Sequence, residues 1–282
     1  MPELPEVETI RLGAKKKLVG KKIISVEVRE PKIFVGDISE VIGSKIIDAK
    51  RVAKVLEFVL DNGNSIIIHL KMTGQLVYVP MGEKVVAVGG HFQSAYNQPL
   101  PHAHTHVIYE FFDGSHLYFN DLRKFGWNRV MKSSDIIKVL GPDKYGPEPG
   151  TISFSAKYLS QIFSKTGKAI KEVLMEQQKI SGIGNIYAND ALYWAGILPS
   201  RSARSLSLAE IKKLYSAILK VIKMGLETGG SSENTYVNIE GKRGKYMDVA
   251  AVYQKKIDPK GHPVKRSRIG GRGTFSCDIC QK

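Results

Sequence analysis

From Glu6 to Leu18 the apolar residues Val7, Ile10, Ala14 and Leu18 recur at helical spacing, while Arg11, Lys15 and Lys16 fall on another face. That pattern predicts an amphipathic helix. After Gly20 the period drops to two, or the chain runs in short β-branched blocks: Ile23 to Val28, Lys45 to Leu60, Ser65 to Leu70 and Leu76 to Val79. Such blocks predict strands. Asp61-Asn62-Gly63-Asn64 and Asp113-Gly114 each stand between apolar runs and read as hairpin turns. Val107 to Phe112 and His116 to Phe119 are the arms of the second. The expectation is an antiparallel, two-layered β-sandwich fronted by the first helix. Pro80 to Pro101, rich in Gly, Gln, Asn and Pro, reads as a long loop.

The second half changes character. Pro142 to Gly150 is dense in proline and glycine and is the expected linker. Beyond it, Ser207 and Glu210 have capping-box spacing, and Ile211, Leu214, Ile218, Ile222 and Leu226 continue a buried stripe up to Gly229-Gly230. From Ser231 the helix signals fade into a basic, turn-rich tail that reads as a β hairpin. The fold class is therefore α+β. Residues 1–132 form the N-terminal sandwich domain, 133–150 the linker, 151–230 a helical domain, and 231–282 a loop region with the terminal hairpin.

Composition narrows the function. A chain of 282 residues with 43% hydrophobic content is long enough for two modest cores. No apolar run reaches the ~18 residues of a membrane span, and the acidic start is no signal peptide. The two cysteines both lie in the last six residues, which excludes a disulfide scaffold and fits a reducing cytoplasm. Charge is uneven: residues 1–150 carry 20 Lys/Arg against 17 Asp/Glu, net +3, and residues 151–282 carry 22 against 10, net +12. A one-sided excess of this size points to a polyanion, DNA or RNA before an anionic membrane surface.

Against that basic background the first residues, Met1-Pro2-Glu3-Leu4-Pro5-Glu6-Val7-Glu8, hold three carboxylates and two prolines. A proline at position 2 is small enough for the initiator methionine to be removed, which leaves a secondary amine. An α-amine titrates near pKa ~8 against ~10.4 for lysine, so it is the better nucleophile towards an aldehyde-like carbon. Glu3 is placed to move a proton at the reacting group, and Glu6 shares its face if Pro5 opens a helix. The bland alternative is an ordinary exposed helix start.

Other constellations carry their own alternatives. Lys54 lies in the apolar run Arg51-Val-Ala-Lys-Val-Leu-Glu-Phe, where alternation sets it on the face opposite Val55, lining either solvent or a site. His104-Thr-His106 suits a metal pair on a strand or a phosphate contact. Met72 and Phe125 are either core residues or loop wedges. Gln178-Lys-Ile-Ser-Gly-Ile-Gly-Asn-Ile-Tyr-Ala places Gly182 and Gly184 before a helix opened by Asn185, an anion site in form.

Taken together the motifs resemble one family. M-P-E-L-P-E-V-E-T is similar to the opening of the formamidopyrimidine-DNA glycosylases, the Fpg side of the Fpg/Nei repair family, and Leu4 separates it from the P-E-G-P-E of the Nei side. His69-Leu-Lys-Met-Thr-Gly74 resembles the family's H-L-G-M-S-G, with Lys71 in place of Gly. Asn120-Asp-Leu-Arg-Lys-Phe-Gly126 resembles its D-x-R-[RK]-F-G. His104-Thr-His106 resembles K-H-x-H, with Ala103 in place of Lys, and G-I-G-N-I-Y-A resembles the helix-two-turns-helix element. Ile269-Gly-Gly-Arg-Gly-Thr-Phe-Ser-Cys-Asp-Ile-Cys-Gln resembles the closing G-G-R-G-T-x-x-C-x-x-C-Q.

The resemblance implies an oxidised-purine glycosylase and AP lyase of base excision repair, with damaged double-stranded DNA bound as a monomer in the cleft between the two domains. It implies a cytoplasmic enzyme working on nucleoid DNA. Pro2 attacks C1′, Glu3 protonates the sugar, Glu6 orders the site, and Lys54 contacts phosphate or deoxyribose while its charge helps keep Pro2 deprotonated. Met72 fills the space of the extruded nucleotide, Arg123 faces the orphaned base and Phe125 wedges beside it. His106, Lys171, Asn185 and Arg272 are phosphate ligands. Gly229-Gly-Ser-Ser and Gly241-Lys-Arg-Gly-Lys-Tyr246 correspond to the loop that closes over the base. The chemistry requires no cofactor. Zinc is not expected, because only Cys277 and Cys280 remain of two C-x-x-C pairs. His262 and Asp258 are the residues able to complete a site, yet the zinc-finger-like hairpin is expected to hold by packing. The alternatives are a Nei-type enzyme for oxidised pyrimidines, a proline tautomerase and a non-catalytic lesion binder.

Overall fold

The computed structural model describes residues 1–82, 87–91, 94–231, 236–237 and 244–282. Two compact units emerge: Met1–Val139 with Thr228–Lys245, and Leu140–Glu227 with Tyr246–Lys282.

In the first unit, helix α1 (Leu4–Leu18) is followed by β1 (Ile23–Val28), β2 (Phe34–Val35), β3 (Ile46–Val52), β4 (Val55–Leu60), β5 (Asn64–His69), β6 (Gly74–Val79), β7 (Ala87–His91), β8 (Thr105–Phe111), β9 (His116–Asp121) and β10 (Trp127–Lys132), and later by β11 (Tyr236–Val237). These strands form a six-stranded sheet, β1-β8-β9-β6-β7-β11, and a five-stranded sheet, β2-β10-β5-β4-β3. One apolar core joins them. Val7, Ile10, Ala14 and Leu18 of α1 pack with Val26, Val107, Tyr109 and Phe119 of the first sheet and Ala49, Phe58, Ile66 and Ile68 of the second. Each such fully buried aliphatic or aromatic side chain contributes about 1.5–3 kcal/mol, so the helical period of α1 and the two-fold period of the strands are satisfied by the same interior.

Two expectations for this unit are corrected. Lys45 to Leu60 is two strands, because Ala53 adopts φ 54° and folds Val52-Ala53-Lys54-Val55 into a tight turn. The run gave no sign of this, since the first four residues of β4 are buried and its polarity does not alternate. Pro80 to Pro101 is not loop throughout: β7 pairs with β6 in register Gln75↔Gly90 to Tyr78↔Ala87. Gly89 and Gly90 hide the strand from propensity, yet Gly90 at φ 125° admits no side chain. A Cβ on Gly90 would stand 2.5 Å from the Gly74 carbonyl oxygen, and one on Gly89 3.1 Å from Ile10.

Pairing register decides where the loops gather. His69, the last residue of β5, lies opposite Val55, the first of β4, and opposite Trp127, the first of β10. In the other sheet Gly74, which opens β6, lies opposite Asp121, which closes β9, and Asn120 lies opposite Thr105 at the start of β8. Within each sheet, then, the strand ends line up, and the turns bearing Lys54, Met72, Arg123 and His104 leave from those aligned ends.

The unit boundary falls between Val139 and Leu140, so α2 (Ile136–Leu140) begins in the first unit and runs into the second. The expected linker of 133–150 therefore contains a helical stretch. The second unit continues with α3 (Ala156–Phe163), α4 (Ile170–Met175), α5 (Asn185–Ala195), α6 (Leu208–Glu227) and α7 (Tyr246–Val249), then the hairpin β12 (Lys265–Ile269) and β13 (Arg272–Ser276). On α6 the stripe Ile211, Leu214, Ile218 and Ile222 is buried as the spacing predicts, whereas Leu226 is 40% exposed. Of the residues that follow α6, those described at 228–231, 236–237 and 244–245 group with the first unit. Among the described residues no helix is long and apolar enough to cross a membrane.

Candidate active site

The head of α1 is internal. Pro2 is buried, and Glu3 and Glu6 are 2% and 1% exposed. Glu3 is the N-cap of α1, with Pro5 in the first turn. Glu6 closes a capping box by accepting the Glu3 backbone N–H on Oε2 at 2.8 Å. Its other oxygen, Oε1, accepts the Ser231 N–H at 2.6 Å. The carboxylate thus joins residues that the sequence separates by most of its length.

Two residues further along α1, Glu8 binds the Arg51 guanidinium at 2.9 Å and that of Arg11 at 2.7 Å. Arg51 also donates to the Ala53 carbonyl at 2.7 Å, and Arg11 to that of Ala49 at 3.1 Å. Burial alone would raise the Glu8 carboxyl, but the hydrogen bonds from Arg11 and Arg51 outweigh it and hold Glu8 below its usual range. This bracket fixes the β3–β4 turn against α1. Lys54, on that turn, is 3% exposed, so it does not line the solvent side.

His69 follows on the neighbouring strand. Burial, then the charges of Lys71 and Lys54, push its imidazole down to about 3, so it is neutral at physiological pH. Its Nδ1 accepts the Lys71 N–H at 2.9 Å, which leaves the proton on Nε2. Lys71 sits at φ 51°. That is the left-handed conformation for which glycine is the usual choice, and a non-glycine residue there costs about 1–2 kcal/mol.

Asp121 organises the two wedge loops. It is 0% exposed. Its Oδ1 accepts the Thr73 hydroxyl and, at 3.2 Å, the Arg123 N–H. Its Oδ2 accepts the Gly126 N–H at 2.6 Å. Tyr96 adds a second tie by donating to the Thr73 carbonyl and accepting from Leu122 N–H, both at 2.7 Å. The loops so held present a half-buried Met72 and a Phe125 that is 52% exposed. The Arg123 guanidinium lies 4.5 Å from the Phe125 ring centroid, a cation–π contact. Neither wedge is a core residue.

His106 takes a different part from the one expected. It is 3% exposed, and its Nε2 donates to the Asp121 carbonyl at 2.8 Å. Burial lowers its pKa despite that bond, and the ring braces the loop. His104, two residues earlier, keeps surface exposed.

In the second unit the turn before α5 is shaped by Gln177. Its Oε1 accepts the Gly182 N–H at 3.0 Å and its Nε2 donates to the Ile183 carbonyl at 2.8 Å. Gly182 sits at φ 88°. Asn185, half-buried, is the first residue of α5, whose leading N–H groups form a ready anion site. Asn189 ties the terminal hairpin to α5 by accepting from Phe275 N–H at 2.9 Å. Asp190 gathers the chain after α7: its carboxylate accepts from Tyr246 Oη and from the N–H groups of Ala251, Val252 and Tyr253 at 2.9–3.0 Å. Burial nonetheless pushes its carboxyl above the usual range.

Lys171 is likewise turned to the interior. It is 0% exposed, and its Nζ donates at 2.8 Å to both the Gly273 carbonyl and the Thr274 hydroxyl. This buried ammonium pins the hairpin. Arg272, at the tip beyond Gly270-Gly271, is exposed. Of the two segments expected to form the base-covering loop, residues 232 and 241–243 lie outside the described residues.

At the base of the hairpin, Asp258, His262, Cys277 and Cys280 bring one ligand atom each to within 4.8 Å of one another. In donor type and spacing this set could hold a metal ion. Sequence reasoning also missed Arg51, Asp121, Gln177 and Ser231. Only Asp121 carried a signal, as the acidic residue leading the D-x-R motif.

Residues 1–128 match the family model described as the formamidopyrimidine-DNA glycosylase N-terminal domain, and residues 145–237 match that of the formamidopyrimidine-DNA glycosylase H2TH domain. Over full length the chain is 36% identical to formamidopyrimidine-DNA glycosylases of Listeria monocytogenes and Desulfitobacterium hafniense, covering 100% of each. Among solved structures it is similar to a complex of a Lactococcus lactis FPG mutant with Fapy-dG containing DNA, at TM-score 0.88 and 30% identity over 100% of both chains. It is equally similar, at TM-score 0.88 and 30% identity over 99% of both, to Lactococcus lactis Fpg with abasic site containing DNA.

Proposed function

The chain belongs to the formamidopyrimidine-DNA glycosylase family of base excision repair, and we propose that it excises oxidised purines, 8-oxoguanine and formamidopyrimidines, from damaged duplex DNA and then cleaves the strand as an AP lyase. The observation that carries this reading is the buried head of α1, where Pro2 and Glu3 lie beside a Glu6 carboxylate with both oxygens engaged. An ordinary exposed helix start has no use for such burial, because each buried carboxylate costs free energy unless it is hydrogen-bonded.

Removal of Met1 frees the Pro2 secondary amine. Its lone pair attacks C1′ of the extruded nucleotide, and the bond from C1′ to the base breaks. The departing base takes the electron pair and a proton. Glu3 protonates the sugar ring oxygen as the ring opens, giving an iminium between Pro2 and C1′. The iminium withdraws electrons from C2′, whose proton is then lost. β-Elimination expels the 3′ phosphate, δ-elimination the 5′ phosphate, and water releases Pro2. Lys54 adds a positive charge that disfavours protonation of Pro2 and balances the phosphate beside the reacting sugar.

Extruding the nucleotide costs a few kcal/mol of stacking. Met72 and Phe125 offset it by filling the vacated space, while Arg123, already against Phe125, offers its donors to the orphaned base. Asn185 and Arg272 bind phosphates, which position the duplex without reading sequence. The glycosylase chemistry itself calls on no metal.

Borohydride trapping on a duplex carrying 8-oxoguanine tests the reading. The full-length protein is expected to form a covalent adduct, and Pro2→Gly to lose it while keeping affinity for the duplex. No adduct, or one equally strong with Pro2→Gly, overturns the mechanism.

A further inference from the structure

On the six-stranded sheet, the residues that alternate with the core look outward from three neighbouring strands, and pairing register sorts them into two rows. Ser25 of β1 lies opposite Glu110 of β8, which in turn lies opposite His116 of β9. Two residues along, Glu27 lies opposite Ile108, which lies opposite Tyr118. With strands ~4.8 Å apart and two residues rising ~7 Å, the rows cover a patch of about 10 by 7 Å. Ile108 and Tyr118 form an apolar floor with Val77, against which Val79 and Leu100 pack. Together with Pro101 the two rows line a cavity of about 240 Å³, too small for a drug-sized molecule and suited to a small ion or a single side chain.

The charge of this cavity runs against that of the chain. The chain holds 42 Lys/Arg against 27 Asp/Glu, yet the charged residues of the lining are Glu27 and Glu110. Glu27 stands at the rim, 3.6 Å from the Arg29 guanidinium. Glu110 is half-buried, and among the described residues its carboxylate has no hydrogen-bonded or ion-paired partner. Tyr118 is an independent sign of a ligand. It is only 9% exposed, and its hydroxyl makes no hydrogen bond among the described residues. A buried hydroxyl in that position costs free energy until something meets it. Burial, then the charge of Glu110, hold the phenol above its ordinary value, so it enters the cavity protonated. The His116 imidazole stacks on the Tyr118 ring, with centroids 5.7 Å apart and planes 19° from parallel, and gives the cavity a flat aromatic wall.

These features select the occupant. Carboxylates call for a cation. Among the described residues the one set of side chains that converges closely enough for a metal ion is that at the terminal hairpin, so the cation here is organic. A flat aromatic wall favours a planar cation: guanidinium stacks on rings and presents its N–H groups in one plane, whereas ammonium is a compact point charge. We propose that the outer face of β1, β8 and β9 is a guanidinium-binding site, in which Glu110 accepts the charge-assisted hydrogen bonds, Tyr118 Oη accepts a further N–H and the open side of the His116 ring covers the plane of the ligand. Glu27 closes the rim. A free guanidino compound and an arginine side chain of a polypeptide offer the same recognised group.

Titration of the full-length, DNA-free protein with ethylguanidinium tests this, followed by calorimetry and by the aromatic proton signals of His116 and Tyr118. Saturable binding that shifts both rings is expected. Glu110→Gln should weaken it about ten-fold or more and Tyr118→Phe about three-fold, the worth of a charge-assisted and of a neutral hydrogen bond. Neither side chain has a hydrogen bond to lose among the described residues, so both variants should unfold at the temperature of the unaltered chain. Should either fail to fold, the ring shifts of the unaltered chain still decide. A blocked arginine-containing tripeptide assigns the source: binding ten-fold tighter than ethylguanidinium identifies a polypeptide, and equal or weaker binding a small molecule. The proposal is overturned if ethylguanidinium causes no saturable shift, if propylammonium binds as tightly, or if Glu110→Gln folds and binds undiminished.

Discussion

Ser231 donates its backbone N–H to Oε1 of Glu6 at 2.6 Å, and Gly230 beside it has no room for a side chain: a Cβ there would meet the same oxygen at 2.9 Å. Gly230 also sits at φ 88°. The carboxylate that caps the first helix therefore receives, from the other side, the chain that leads towards residues 232–243.

Glu6→Gln keeps the shape but sets an amide NH2 against one of two N–H donors. We expect a loss of about 1–3 kcal/mol of stability, the cost of an unsatisfied buried group. Adduct formation with a lesion duplex should slow at least in parallel. Gly230→Ala should act in the same direction through sterics alone. Thermal unfolding and single-turnover trapping of both variants check this.

Asp121→Asn should loosen both wedge loops at once, because its amide cannot accept from Thr73, Arg123 and Gly126 together. Phe125→Ala removes an exposed ring and should leave stability within about 0.5 kcal/mol. Both variants should lower the preference for a lesion duplex over an intact one, while only Asp121→Asn shifts the urea midpoint. Competition binding and denaturant titration separate the two effects.

Lys171 and Arg272 should part company under salt. Lys171→Met strips the hairpin of an internal pin and should cost about 3 kcal/mol, yet leave the slope of log affinity against log salt unchanged. Arg272→Ala should leave stability alone and reduce that slope by about 0.9 for each phosphate it no longer neutralises. If Lys171→Met lowers the slope as well, its ammonium does reach phosphate.

His69 sets an acid limit. Its folded pKa of about 3 lies below the ordinary histidine value of 6.5. The unfolded chain thus binds a proton the folded one refuses, and stability falls as pH drops from 6.5 towards 3. At pH 5 the expected loss from this group is about 2 kcal/mol. His69→Gln should flatten the profile over that window in unfolding measured from pH 7 to pH 5.

What the sequence made legible was whatever local pattern or contiguous motif can carry. The period of α1, the stripe Ile211 to Ile222, the Asp-Gly hairpin and the G-I-G-N turn are each decided by neighbours in the chain, and each sits where the pattern indicates. The side chains expected at phosphate but bonded within the interior, His106 and Lys171, share one feature. A histidine or lysine in a motif looks the same whether its nitrogen meets phosphate or a carbonyl brought from 15 or 102 positions away. Arg51 and Ser231 went unnoticed on the same ground, since their partner carboxylates lie in α1. The turn at Lys54 was hidden by chemistry, because two buried strands in succession read as one.

The sandwich is closed by a peptide that the chain supplies only after completing α6, so neither unit is a single uninterrupted length of sequence. A fragment stopping at Glu227 would lack β11 and the N–H that Glu6 accepts, and its first sheet would end in a bare edge at β7. Exchange of the helical unit between related genes would have to respect three junctions rather than one. A protease nick within residues 140–227 would leave the sandwich assembled from two separate peptides, with its last strand arriving on the second.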